Sequence, residues 1–374
     1  MSLFEEDISH ESQDVGLLKP RQSNFFVGHQ DVEETLLSLI EGNNLPHAVI
    51  FSGPKGIGKS TFAYRLARYL FAQNKDNNQD DMFGGKDTST PTTLDINDPS
   101  IQALVSSGGH PDLMSVELPF DSKTQKFKSE IPIDSTRKIA PFLRMTSSEG
   151  GWRIVIIDDA DKMNKNAQNS ILKILEEPPK KTLLILVCHR LKSLLPTILS
   201  RSRVVQFSPL NDLQFNKLLE KEFGHEAFSP DEKEFLNLIS ENQFGIVKQF
   251  IELDALELFE SIKTIFNSYP NWNDIQIHHF SESFVRMNAA KFETLEKILN
   301  KMLSDMILSK AKQQGLPKPF DIAPLQQMRD TTSLENLMQL NEDIHDLINS
   351  TKFSNLDKRL CVINIFSKFK QTFS

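Results

Sequence analysis

Three observations predict an α/β phosphate-loop domain followed by an all-helical region. Short apolar runs alternate with amphipathic helical stretches over the N-terminal half, the pattern of a parallel sheet covered on both faces. One of these runs leads directly into Gly53-Pro54-Lys55-Gly56-Ile57-Gly58-Lys59-Ser60, a full match to the phosphate-binding-loop pattern. Beyond Pro209 the strand signal fades, and Leu, Phe and Ile recur at helical spacing instead.

The elements follow in order. Residues 1–20 are acidic and Ser-containing and read as a disordered tail. A helix is expected over Asp31–Ile40, where Val32, Leu36, Leu37 and Ile40 share a face and Gly42 follows as a stop. Ala48-Val49-Ile50-Phe51 suits a buried strand. After the glycine-rich turn, Ala63, Leu66, Ala67, Leu70 and Phe71 form the core-facing stripe of a new helix. The polar stretch 73–100 reads as a loop. Two more strands are expected at Ile154–Ile157 and Leu183–Val187, with a helix between them from Asn164 to Glu177 that ends at Pro178-Pro179. Helical periodicity then runs through Leu218, Phe235–Ile239, Val247–Phe250 and Leu256–Ile265, breaks at Tyr269-Pro270 and again at Gly315-Leu316-Pro317-Lys318-Pro319. The 27 phenylalanines read as core and packing surface of these helices.

Composition narrows the function. The 374 residues are 39% hydrophobic and 25% charged, enough for two or three packed domains. A net charge of −8 argues against a stand-alone DNA binder, so any DNA contact is expected through a local patch or partner subunits. Two cysteines, Cys188 and Cys361, make neither a disulfide framework nor a four-thiolate zinc site. The acidic N-terminus does not have the form of a signal peptide, and no run reaches the roughly 20 apolar residues of a membrane span. A cytoplasmic protein is expected.

The phosphate-loop residues have a chemical reason for their spacing. Glycines let the backbone curl so that N–H groups face a phosphate, and the helix that follows adds the positive end of its dipole. Lys59 is placed for the terminal phosphates and Ser60 for Mg²⁺. The second motif is Ile154-Val155-Ile156-Ile157-Asp158-Asp159, an apolar strand ending in two carboxylates. Asp158 is expected to bind Mg²⁺ directly or through water. Asp159 stands where many such ATPases carry a Glu that orients the attacking water. It is one methylene shorter, which displaces the water by roughly an ångström and weakens hydrolysis on the order of 10²-fold. His189, which follows a predicted strand, reads as a hydrogen-bonded structural residue in preference to a ligand or base.

The surrounding blocks carry a resemblance. Asn166-Ala167-Gln168-Asn169-Ser170-Ile171-Leu172-Lys173-Ile174-Leu175-Glu176-Glu177-Pro178-Pro179 resembles the NALLKxLEEPP block of clamp-loader AAA+ subunits. Leu195-Pro196-Thr197-Ile198-Leu199-Ser200-Arg201-Ser202 resembles their TILSRC block, with Ser202 in place of the cysteine. Phe26-Val27-Gly28-His29 is similar to the segment that lies near the adenine in these proteins. Gly109–Leu113, Ile133–Arg137 and Glu149–Arg153 resemble blocks of the delta-prime chains. On these motifs, spanning about residues 20–210, the chain is identified as a member of the delta-prime family of bacterial DNA polymerase III clamp-loader subunits.

That resemblance implies an AAA+ nucleotide-binding domain over 21–208, a helical lid over 209–268 and an all-α oligomerisation collar over 269–374. It implies nucleotide contacts from Val27, Gly28 and Gly53 through Thr61, with ATP and Mg²⁺ as cofactors. It implies that Arg201 is an arginine finger acting in trans on a neighbouring motor subunit, helped by Ser200; taken alone, Arg201 reads as a surface cation paired with an acid. The implied partners are gamma/tau and delta subunits, the sliding clamp, and primer–template DNA through the assembled complex. Three departures separate the chain from the motor subunits. The cysteine-ligated zinc module is missing, and the lid stretch Asn242–Lys248 has no Arg, only Lys248 one turn away. The motor's Thr or Asn sensor is replaced at about Cys188-His189. The expected role is therefore a stator that binds nucleotide and hydrolyses it poorly. The alternatives are an active gamma/tau-like motor ATPase or a different AAA+ remodeller.

Overall fold

A computed structural model describes residues 19–78, 93–121, 126–148, 150–284, 289–354 and 356–373. Most of the expected tail (1–18), the middle of the expected 73–100 loop and Glu149 of the last resemblance block lie outside the described residues. The chain divides into two compact units. One comprises Met1–Gly53 and Gly58–Phe207, the other Pro54–Ile57 with Ser208–Ser374.

The first unit opens with α1 (Gln30–Glu41), β1 (Ala48–Ser52), α2 (Lys59–Asn78) and α3 (Pro99–Ser107). It continues with β2 (Leu113–Val116), a short antiparallel ribbon of β3 (Phe120–Asp121) and β4 (Lys126–Phe127), and the helices α4 (Ile133–Thr136) and α5 (Ile139–Arg144). It closes with β5 (Arg153–Ile157), α6 (Lys165–Glu176), β6 (Thr182–Cys188), α7 (Pro196–Leu199) and β7 (Arg203–Gln206). Strands β2-β5-β6-β1-β7 form one sheet, and every pairing in it is parallel. This is the α/β arrangement expected of an AAA+ phosphate-loop domain.

Period-two alternation explains how the sheet is covered. Ala48, Ile50, Val155, Ile157, Leu184 and Leu186 pack on one face against Ile139, Leu143, Ala167, Ile171 and Ile174 of α5 and α6. On the other face Phe51 meets Phe62 of α2 at 5.6 Å between ring centroids and Phe207 at 5.1 Å. Two expectations need correction. The stretch 73–100 is not all loop: α2 runs on to Asn78 and α3 begins at Pro99, with Asp98 accepting from the Ser100 and Ile101 N–H groups. Strands β2 and β7 are also additional to the three expected, because they are edge strands and carry no continuous apolar run.

The second unit is helical: α8 (Asp212–Phe223), α9 (Pro230–Ser240), α10 (Val247–Glu252), α11 (Ala255–Phe266) and α12 (Asp274–Glu282), then α13 (Ala289–Lys312), α14 (Ala323–Thr331), α15 (Leu334–Phe353) and α16 (Lys358–Thr372). Capping boxes Asn211/Gln214 and Ser229/Glu232 satisfy the first backbone donors of α8 and α9. Phenylalanine supplies much of the core: Phe235 stacks on Phe259 at 4.2 Å, and Phe266 meets Phe369 edge-on at 5.0 Å. One continuous cluster runs from Phe215 to Phe373. Among the described residues, no helix is long and apolar enough to cross a membrane.

Candidate functional site

In a parallel sheet the carboxyl ends of the strands lie on one edge, where ligands bind. The three fully buried strands end there in Gly53 after β1, Asp158 after β5 and His189 after β6, with Ser52 beside Cys188 and Ile157 beside Leu186 in the register. A cluster of charged groups is thereby gathered at one point. Lys59 opens α2, is 2% exposed, and donates from Nζ to the Gly53 carbonyl at 2.7 Å. Its Nζ also lies 2.9 Å from His189 Nδ1. Burial lowers the Lys59 pKa to about 8, against the pull of Asp158, Cys188, Asp161 and Asp159 in the other direction.

Ser60 Oγ donates to Asp158 Oδ1 at 2.8 Å, so a hydroxyl and a carboxylate converge next to the lysine. Burial raises the Asp158 pKa, against the bonds from Ser60 and the Asp159 N–H. Two hard oxygen donors beside a buried cation fit a magnesium–nucleotide ligand, since Mg²⁺ takes one or two protein oxygens and the rest from phosphate and water. The loop's backbone fits as well. Gly58 has φ +95°, and a Cβ there would lie 3.3 Å from the Phe26 ring. That contact brings the Phe26-Val27-Gly28 segment beside the phosphate loop, while Thr61 lines a small cleft with Phe25, Phe26, Arg65 and Gln102. Pro54 and Lys55 are exposed, and Ile57 is buried.

Asp159 sits in the left-handed region at φ 51°, a conformation Asp tolerates. Its Oδ1 is 2.6 Å from His189 Nε2. The His189 backbone N–H in turn donates to Asp161 Oδ1 at 2.9 Å. Asp159, Asp161 and His189 bring their ligand atoms within 4.8 Å of one another. Asp161 is the site residue that sequence reasoning missed, and His189, expected as a hydrogen-bonded structural residue at the altered sensor position, joins it in the site. Their signal is positional: His189 follows a buried strand as directly as Asp158 does. Cys188 is buried with the core, and burial pushes its thiol up to about 11.

Arg201 is held by different contacts. Gln168 on α6 donates from Nε2 to Met163 O (3.0 Å) and Ser193 O (3.1 Å) and accepts from the Leu195 N–H at 2.8 Å, which fixes the approach to α7. Arg201 follows α7. Its Nη1 donates to Thr197 O and Ser200 Oγ, both at 3.2 Å, and Nη2 lies 3.2 Å from Glu176 Oε1. The side chain is 37% exposed, so this ion pair is screened by water and contributes at most about 1 kcal/mol. The other resemblance blocks also meet. Asp112 pairs with Arg153 at 3.0 Å, both buried, and Thr136 Oγ1 lies 2.7 Å from Ser170 Oγ. In the second unit, Lys248 pairs with Glu252 at 3.3 Å.

Residues 28–211 match the family model described as "DNA polymerase III, delta subunit". DNA polymerase III subunit delta' of Pseudomonas aeruginosa is 33% identical over 165 residues, 44% of this chain and 43% of that protein. The subunit of the same name from Bacillus subtilis is 30% identical over 250 residues, 67% of this chain and 66% of that protein. The chain belongs to the DNA polymerase III delta-prime family. It thus spans 43% and 66% of the lengths of these two curated relatives. A solved DNA polymerase III gamma subunit-related protein from Thermotoga maritima is similar at 19% identity and a TM-score of 0.40, covering 91% of this chain and 99% of that one.

Proposed function

We propose that this chain is a delta-prime-like stator of a sliding-clamp loader in the cytoplasm. In this reading it binds nucleotide, hydrolyses it poorly and lends Arg201 to a neighbouring motor subunit. Its partners are gamma/tau-like and delta-like subunits, the ring-shaped clamp, and primed DNA reached through the assembly. Residues 209–268 serve as a lid and 269–374 as the collar that holds the assembly together.

The observation that carries this reading is a set of converging nucleotide and magnesium ligands beside an acid that is too short and already bonded. Lys59, Ser60 and Asp158 converge as a magnesium–nucleotide site requires, but Asp159 is one methylene short and bonded to His189 at 2.6 Å. A bound ATP would supply the γ-phosphate whose transfer to water drives a loader. Lys59 would neutralise phosphate charge there, and Ser60 and Asp158 would offer oxygens to Mg²⁺. Asp159 has the wrong length, and a competing partner, for holding the attacking water. Arg201 supports the trans role, because its tether to Glu176 is weak and it lies on the surface.

The test is to purify the full chain and measure nucleotide binding and ATP hydrolysis alone and with loader subunits. The stator reading expects stable association, binding that Lys59→Ala removes, and slow intrinsic turnover. Fast DNA-stimulated hydrolysis by the chain alone, lost in Lys59→Ala, would replace it with the motor reading. Failure to associate with clamp-loader subunits would leave only a generic AAA+ protein.

A further inference from the structure

We propose that His189 restrains the phosphate-loop lysine: its imidazole ties Lys59 to Asp159 and thereby sets how readily a nucleoside di- or triphosphate is accepted. This rests on the nucleotide-binding reading above and adds a residue that controls it.

The ring stands between two groups with opposite tasks. Its Nδ1 lies 2.9 Å from Lys59 Nζ and its Nε2 lies 2.6 Å from Asp159 Oδ1. A lysine ammonium has donors and no acceptor, so Nδ1 accepts from Lys59. The ring proton is then on Nε2 and is donated to the Asp159 carboxylate. The chain Lys59 → His189 → Asp159 therefore runs in one direction, with each group in the only role that satisfies the other two. The backbone that carries the ring is anchored as well, since the His189 N–H is bonded to Asp161 Oδ1 at 2.9 Å, and the Asp161 side chain is 2% exposed.

Lys59 has three N–H donors, and the Gly53 carbonyl and His189 take two of them in fixed directions. A phosphate that approaches Lys59 along either of these directions has to displace the partner there. A hydrogen bond with a charged donor is among the stronger ones, so the contact with His189 opposes phosphate binding measurably. The same ring occupies the carboxylate at the water-orienting position, so one side chain restrains both ends of the site.

The experiment is a titration of the full-length chain with a fluorescent ATP derivative and Mg²⁺, alongside thermal unfolding of each variant. His189→Ala frees Lys59 and is expected to tighten binding about tenfold. His189→Phe keeps the ring volume without either nitrogen, guards against loss of packing, and is expected to tighten binding equally. His189→Asn keeps an acceptor at the Nδ1 position and should return affinity to within about threefold of wild type. Tighter binding in a variant that is no more stable is an effect a merely structural histidine would not produce. Unchanged or weaker binding in a folded Ala or Phe variant, with the wild type binding normally, overturns the restraint and leaves the nucleotide-binding reading intact. If the folded wild type and all variants bind nothing, that reading fails and the restraint with it.

Discussion

Lys59 carries a positive charge into a nearly dry position, and that fixes its chemistry. Its folded-state pKa is about 8, against 10.5 in the unfolded chain. Between those two values the unfolded chain holds a proton that the folded chain has released, so this group makes stability rise with pH across the window. Phosphate binding has the opposite dependence, because the ammonium is the binding form. Between pH 7 and pH 9 nucleotide affinity should fall by about tenfold, and in Lys59→Arg the profile should be flat. Equilibrium titration at the two pH values checks this, and equal affinity at both would contradict it. Lys59, Ser60, Asp158 and Asp159 were legible in the sequence because their spacing follows from phosphate chemistry. Asp161 was not, and His189 was legible only as a hydrogen-bonded residue at the altered sensor position, because a single His or Asp carries no pattern until the sheet brings the strand ends together.

At the scale of elements, legibility follows burial. Strands β1, β5 and β6 are buried along their whole length and write continuous apolar runs into the chain. Strands β2 and β7 are edges with exposed positions, so Leu113–Val116 and Arg203–Gln206 lack that signature. What holds edge strand β2 is partly electrostatic. Asp112, just before β2, pairs with Arg153 at the start of β5, with side chains 5% and 8% exposed. Removing the acid alone strands a buried guanidinium, so Asp112→Ala should cost about 3–5 kcal/mol in denaturant unfolding. A loss under about 1 kcal/mol would mean that water reaches Arg153. Helix α6 has a different duty. Gln168 is 4% exposed and makes three hydrogen bonds that fix the approach to α7 and Arg201. Gln168→Ala should cost about 1–3 kcal/mol and, under the proposed function, slow loader turnover although Arg201 is untouched. Normal turnover at reduced stability would separate the two effects.

Over the whole molecule, the chain joins an α/β unit whose chemistry is local to a strand-end crevice with a helical unit whose phenylalanines form a continuous core. Phe266 is fully buried among Trp272, Phe366 and Phe369, so Phe266→Ala should destabilise that unit by about 3–5 kcal/mol. Calorimetry checks the size of the loss. Helical periodicity made these elements readable, but it says nothing about where a lid ends and a collar begins. The central proposal concerns what this chain does for its neighbours, and one measurement reaches it most directly. That is the ATPase rate of a loader reconstituted with clamp and primed DNA, wild-type chain against Arg201→Ala. Loss of a finger in trans costs on the order of 10³–10⁵ in related NTPases, and a drop of at least about tenfold in a normally assembled complex is the predicted result. Unchanged turnover in that complex would contradict it and leave Arg201 as a surface partner of Glu176.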